Sequence, residues 1–205
     1  MGNEGSDKEI NAFVAFFKVC AKKKDLSKGT TLHAHILRRG LLEKSPYLAS
    51  ALINMYAKCG ILSKAQELHE KSGSRNVVSW NALMAGYCLL GESACVFSMF
   101  NSMMREDIKP NLVTYLIVLN ACNHGGVVEK GIMYFEAINE DYGYVPALEH
   151  YACIIDLLSR AGHFERAMAV IHKMPSSNYL PVWASVLGAC RKWGNVELGR
   201  LAFKQ

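Results

Sequence analysis

The chain repeats itself, and the repeat leaves few folds open. An aromatic residue recurs at Trp80, Tyr115, Tyr151 and Trp183, at spacings of 35, 36 and 32 residues. Each is followed eleven residues later by a glycine: Gly91, Gly126, Gly162 and Gly194. Gly60 extends the series backwards by 31 residues. Five positions beyond these glycines stands a small residue (Ala65, Gly131, Ala167, Gly199), with Val96 the exception. Aligning Leu26–Gly29 with Leu62–Ala65 adds an earlier unit at an offset of 36. Six units follow: 10–45, 46–76, 77–111, 112–147, 148–179 and a truncated 180–205. Residues 1–9 are left as a flexible N-terminal tail or an expression remnant. Such a period marks a stack of identical supersecondary units rather than one or two ordinary domains.

Each unit reads as two helices. In the third, Trp80, Leu83, Met84 and Tyr87 fall at i, i+3, i+4, i+7, one stripe of an α-helix. Gly91 ends that helix in a left-handed turn. Val96, Phe97, Phe100, Met103 and Met104 form the stripe of a second helix, which Pro110 prevents from continuing. Two short-linked helices pack antiparallel, and one hairpin cannot bury both stripes. Successive hairpins therefore stack, and the predicted fold is all-α, a right-handed α-solenoid. With 51% apolar and 20% charged residues the composition excludes disorder. No run of about 18 apolar residues suggests a membrane span. Seven cysteines with no CxxC pair indicate neither a disulfide framework nor a zinc knuckle.

With the units aligned, the chain resembles the pentatricopeptide repeat (PPR) proteins. VVSWNALMAGYCLLGESACVFSMFNSMMREDIKPN, residues 77–111, is similar to the family's 35-residue motif. The alternating lengths, with LHAHILRRG in unit one and ALINMYAKCG in unit two, resemble the plant PLS subclass. VWASVLGACRKWGNVELG in unit six is similar to the start of the extension (E) motif of plant organellar editing factors. The resemblance implies single-stranded RNA as partner, read at about one base per repeat. It also implies localisation in a mitochondrion or chloroplast. The start, MGNEGSDKE, is unlike an Arg- and Ser-rich transit peptide.

In the family, base choice rests on position 5 of the first helix and the last residue of the repeat. Carried over, two pairs have polar chemistry. Ser50 with Asn76 resembles the combination that prefers adenine, and Asn81 with Asn111 the one that prefers pyrimidine. Val78 and Val113, at position 2, are the implied sandwiching residues. The other position-5 residues, Val14, Leu116, Ala152 and Ala184, are apolar, so the implied readable core is 5′-A-Y-3′.

Charge points the same way. The chain carries a formal net charge of +5. Position 13 of successive units holds Lys22, Lys58, Leu89, His124, Arg160 and Lys192. If first helices line one wall, these cations form a phosphate-gripping row. The plainer reading is that cations favour helix C-termini.

Other residues read as structural. Cys20, Cys122 and Cys190 share position 11 with Tyr56, Tyr87 and Leu158, so the site is one of packing. Position 4 (Trp80, Tyr115, Tyr151, Trp183) lies on the packing stripe. His33 aligns with Phe100 and Phe135 and is assigned to the core or groove edge. His150 belongs to no HxE, and no CxxC follows, so the zinc deaminase signature is absent. No catalytic residues, metal or cofactor are expected, and the chain reads as a non-enzyme. The leading function is sequence-preferring RNA binding in organellar RNA processing, most of all recognition of C-to-U editing sites. Catalysis would then come in trans, from a deaminase-bearing or editing-accessory protein. The alternatives are a protein-binding solenoid that docks an RNA-processing cofactor, and a splicing or stabilisation factor. The uncapped last unit suggests a homodimer through the C-terminal end.

Overall fold

The computed structural model describes residues 3–73, 75–176 and 178–205. Among them the chain is helical throughout, twelve α-helices in stacked pairs with one short 3-10 turn at Leu42–Lys44. The pairs are α1 (Asn3–Lys23) with α2 (Leu26–Arg38), α3 (Pro46–Lys58) with α4 (Leu62–Lys71), and α5 (Val77–Leu89) with α6 (Ser93–Arg105). Then come α7 (Leu112–Gly125) with α8 (Val128–Glu140), α9 (Leu148–Arg160) with α10 (Phe164–His172), and α11 (Leu180–Trp193) with α12 (Val196–Phe203). Two compact units divide the chain, 1–109 and 110–205.

Within each unit the architecture is the same. First helices stack on one another, α1 on α3 and α3 on α5 in the first unit, α7 on α9 and α9 on α11 in the second. Each second helix packs on its own partner, and α2, α4 and α8 also reach the first helix of the next hairpin. First helices are therefore enclosed on several sides, and second helices on fewer. That corrects the single-stripe reading of the third repeat. Helix α5 buries Ser79, Trp80, Asn81, Ala82, Leu83, Met84, Gly86 and Cys88, whereas α6 buries only Val96, Phe100 and Met103. Met104, assigned to the α6 stripe, is exposed. Helix α6 stops at Arg105, ahead of Pro110, because Asp107 turns left-handed at φ 56°.

The repeat glycines terminate helices as the sequence suggests. Gly60, Gly91, Gly126, Gly162 and Gly194 all have φ between 64° and 83°. The next residue's N–H returns to the carbonyl of position 11, as from Ile61 to Tyr56 at 2.9 Å and Val127 to Cys122 at 3.1 Å. In the first repeat that place belongs to Lys24, which adopts φ 54° while Asp25 N–H closes on Cys20 O at 3.0 Å. A residue with a Cβ is disfavoured there by about 1 kcal/mol. Lys24→Gly is therefore expected to raise stability by roughly 0.5–1 kcal/mol, read as a higher urea midpoint with unchanged slope. An unchanged or lower midpoint would mean that Lys24 is unstrained.

The N-terminus departs from expectation. Helix α1 begins at Asn3, inside the segment assigned to a flexible tail. Residues 3–9 contain no proline, and Glu9 forms an ion pair with Arg39, so the first helix extends beyond its repeat.

Candidate nucleic-acid interface

Two residues 26 positions apart meet at the N-terminal turns of α3 and α5. Ser45 caps α3 and Pro46 opens it, so Ser50 stands just above the first turn. The Ser50 hydroxyl donates to Pro46 O at 2.9 Å. Asn76 is the N-cap of α5: its Oδ1 accepts the N–H groups of Val78 and Ser79 at 3.0 Å, and Ser79 Oγ accepts the Asn76 N–H at 3.1 Å. The cap uses only the Asn76 oxygen. Its Nδ2 turns to Ser50 and donates to Oγ at 3.1 Å. The sequence paired these residues through a resemblance; the structure joins them by a hydrogen bond.

The pair does not stand open. Ser50 is 4% exposed and Asn81, one repeat later at the same register, 7%. Asn76 is half-buried. Of the pair, Asn76 is the more exposed, and the Ser50 hydroxyl lies within reach of both Pro46 O at 2.9 Å and Asn76 Oδ1 at 3.3 Å. Asn111 is also half-buried and caps α7, its Oδ1 accepting from Thr114 N–H at 3.0 Å and from Thr114 Oγ1 at 3.1 Å. Both terminal asparagines thus have a structural role that a sequence cannot separate from a reading role.

Exposed apolar groups stand on the first turns of the first helices. Val78, whose N–H is held by Asn76, is 55% exposed, and Val113 is exposed on the first turn of α7. Sequence reasoning missed Tyr47, the second residue of α3, which is 77% exposed and one turn before Ser50. The signal was present, since Tyr47 precedes Val78 by the same 31 residues that separate Gly60 from Gly91. Stacking needs an accessible flat face with no packing duty, and Tyr47 offers one.

The position-13 residues Lys22, Lys58, His124, Arg160 and Lys192 are all exposed. They are not equivalent. Lys22, Lys58 and His124 make no ion pair among the described residues. Arg160 Nε lies 3.0 Å from Asp156, one turn earlier on α9, which offsets its charge. Lys192 Nζ rests 5.3 Å from the Trp193 ring centroid and 3.4 Å from Arg160 O. The unpaired lysines at this position are fewer than the basic residues the alignment counts, because a carboxylate at i−4 is invisible to a position-by-position comparison.

The residues set aside as structural are so placed. Cys20, Cys122 and Cys190 are buried thiols, with burial raising the Cys190 pKa, and no cysteine is in a disulfide. Trp80, Tyr115 and Trp183 are buried. Tyr151 is only half-buried, edge-to-face with Phe135 at 5.2 Å. His33 is buried, its Nδ1 2.8 Å from the Tyr56 hydroxyl, and burial lowers its pKa. His150 is buried and satisfied: Nδ1 accepts the Ala147 N–H at 3.2 Å and Nε2 donates to Leu112 O at 2.8 Å. Among the described residues no three His, Cys, Asp or Glu side chains are grouped to hold a metal, and no helix is long and apolar enough to cross a membrane.

Helical hairpins stacked within each unit, with capped polar turns and exposed apolar groups at equivalent places, define an α-helical repeat protein. The model of the PPR repeat family matches residues 75–124, and the PPR repeat model matches 48–77 and 149–179, together more than half of the chain. The chain belongs to the PPR repeat family. It is 40% identical over 190 residues to the pentatricopeptide repeat-containing protein At4g16470 of Arabidopsis thaliana, covering 93% of this chain and 38% of that protein. It is 38% identical to the chloroplastic CRR2 of the same plant, over 100% of this chain and 31% of that protein. The mitochondrial At1g77170, also of Arabidopsis thaliana, is 36% identical over 97% of this chain and 43% of its own length. The chain thus spans less than half of each of these relatives. The crystal structure of the pentatricopeptide repeat protein PPR10 from maize superposes with a TM-score of 0.74 at 22% identity, over 98% of this chain and 31% of that one. PPR10 in complex with an 18-nt psaJ RNA element superposes at 0.68 with 23% identity, over 92% and 30%.

Proposed function

We propose that this chain binds single-stranded RNA and reads at least one base through Asn76 and Ser50. The observation that carries the reading is the Asn76–Ser50 hydrogen bond on helices whose first turns also carry the exposed Tyr47 and Val78. The polar pair can discriminate, and the apolar pair can clasp a base face. Adenine offers a ring nitrogen that can accept from the second Nδ2–H, which is compatible with the adenine preference that the family resemblance implies. The family resemblance gives Asn81 and Asn111 as the reading residues for a following pyrimidine, and Val78 and Val113 as the sandwiching residues. Lys22 and Lys58 supply charge for phosphates and His124 a ring N–H, with Arg160 and Lys192 contributing less. By kinship with the chloroplastic and mitochondrial relatives, the setting is a plant organelle. The step served is RNA processing, with recognition of C-to-U editing sites as the leading assignment and catalysis supplied by a deaminase-bearing or editing-accessory partner.

The test is binding to short single-stranded RNAs with and without a central A-Y step, at two salt concentrations. Affinity is expected to fall steeply with salt. Tyr47→Ala is expected to weaken binding roughly tenfold or more without lowering the melting temperature. Asn76→Asp keeps a good N-cap but replaces the donating amide by an acceptor. Preference is expected to move from adenine to guanine, whose Watson–Crick edge donates. No RNA binding at low salt would favour a protein-docking scaffold, and unchanged base preference in Asn76→Asp would remove the reading role of the pair.

A further inference from the structure

One junction between repeats lacks a side chain that the others supply. Position 4 of the first helix is aromatic in five of the six repeats: Phe13, Trp80, Tyr115, Tyr151 and Trp183. In the second repeat it is Ala49. Two of the rings show what the position does. Trp80 lies edge-to-face on His69 of α4, the second helix of the preceding repeat, with ring centroids 4.4 Å apart and 71° between the planes. Tyr151 lies in the same way on Phe135 of α8, at 5.2 Å and 70°. His69 and Phe135 each stand one turn beyond the small residue of their helix, Ala65 or Gly131. One turn beyond Gly29, the equivalent residue of α2, is His33. This junction thus has the ring of the second helix, and Ala49 sets nothing against it.

A cavity of about 660 Å³ occupies that place. Its walls are four successive elements of one unit rather than a chain end: His33 and Leu37 from α2, Leu42 from the 3-10 turn, Ala49 and Leu52 from α3, and Leu68 from α4. Trp80 and Tyr115 are buried at position 4, whereas Ala49 is only half-buried. Charge does not select the occupant. Lys64 and Lys71 balance Glu67 and Glu43 among the described residues of the lining, and the Glu67 carboxylate takes both lysines, at 2.7 and 2.8 Å. The volume falls within the roughly 300–1,000 Å³ of small-molecule sites, and apolar walls with few polar groups are their usual lining.

We propose that this cavity binds a neutral, planar, bicyclic aromatic molecule, whose ring takes the place against His33 that Trp80 takes against His69. The bicyclic size follows from that template, in which a histidine on the second helix is matched by an indole. Planarity follows from the edge-to-face contact, which a saturated ring of the same size cannot make. The proposal is independent of the RNA reading, since neither Ser50 nor Asn76 lines the cavity.

Indole, the side-chain ring that the junction lacks, is the probe, titrated into the isotope-labelled 205-residue chain and followed by NMR. Saturable amide shifts are expected at Ala49, Leu52 and Leu68, with a dissociation constant on the order of 1 mM or tighter. Phenol and cyclohexanol, a planar and a saturated ring of one size, are expected to differ several-fold in favour of phenol. Ala49→Trp restores the ring from within, and is expected to abolish the shifts while its urea midpoint matches or exceeds that of the wild type. Ala49→Phe repeats the test with a smaller ring should the tryptophan variant fold poorly. A wild type with no saturable shift up to the solubility of indole overturns the proposal, as do shifts confined to residues outside the lining. Undiminished binding in a folded Ala49 variant does the same. Equal affinity for phenol and cyclohexanol also overturns it, and would make the cavity a plain apolar groove suited to a partner's aliphatic side chains.

Discussion

Gly131→Leu is expected to be the most destabilising substitution at the small-residue position five beyond the repeat glycines, costing about 3 kcal/mol, the upper end of ordinary overpacking. A Cβ at residue 131 already collides with Leu157, and Cys122 Cβ and Ile154 Cδ1 stand 3.5 Å away on other sides. Leu157 and Ile154 are themselves buried, so neither has space to retreat. The gain in helix propensity on leaving glycine, about 1 kcal/mol, is too small to offset this. The same position elsewhere should behave differently. At Gly29 the obstacle is the end of Met55, an unbranched side chain that can move aside, so Gly29→Ala should cost less than Gly131→Ala. At Gly199 nothing lies closer than 3.5 Å, and Gly199→Ala should raise stability by up to about 1 kcal/mol. Urea midpoints of the three alanine variants test the ordering. A Gly199→Ala loss equal to that at Gly131 would show that this position responds to something other than the side chain packed against it.

That contrast also marks what the sequence made legible. Period, helix pairing and left-handed turns followed from residues that act locally: a glycine after a helix means the same thing in every unit. Even Lys24, in the turn where the other units have glycine, takes the left-handed turn, because the chain on either side dictates it. What depended on third parties was not legible. The i, i+4 stripe of α5 gave one buried face, but a helix enclosed on several sides buries Ser79 and Asn81 as well. Arg160 looked like a groove cation until Asp156 was found beside it. Asn76 was chosen for base reading, yet its oxygen is committed to capping α5, leaving only the amide nitrogen for Ser50. Tyr47 was not legible because exposure is set by the neighbouring helices: at the register of Val78 it is larger in the second repeat than in the third.

Acid is expected to weaken the first unit through one side chain, His69. It is buried on α4 with its ring 4.4 Å from that of Trp80, edge to face, and neither of its nitrogens has a hydrogen-bond partner among the described residues. Burial, reinforced by the charge of Arg75 and opposed by Glu70, lowers its pKa from 6.5 to about 4. The sign follows directly. Above pH 6.5 the ring is neutral in both folded and unfolded chains, and pH has no leverage through it. Below 6.5 the unfolded chain takes up a proton that the native ring refuses until about pH 4, so stability falls as pH drops through that window. The full loss is about 3 kcal/mol. Leucine fills the site without polar atoms, so His69→Leu forfeits no hydrogen bond and should match or exceed the wild type at pH 7. His33, also lowered by burial, acts in the same direction in both proteins and cancels in the comparison. Urea midpoints at pH 7, 5.5 and 4 should therefore diverge, the variant gaining on the wild type most steeply between the last two. Parallel pH profiles would mean that His69 is solvated or paired in solution, and that the acid sensitivity of the fold lies elsewhere.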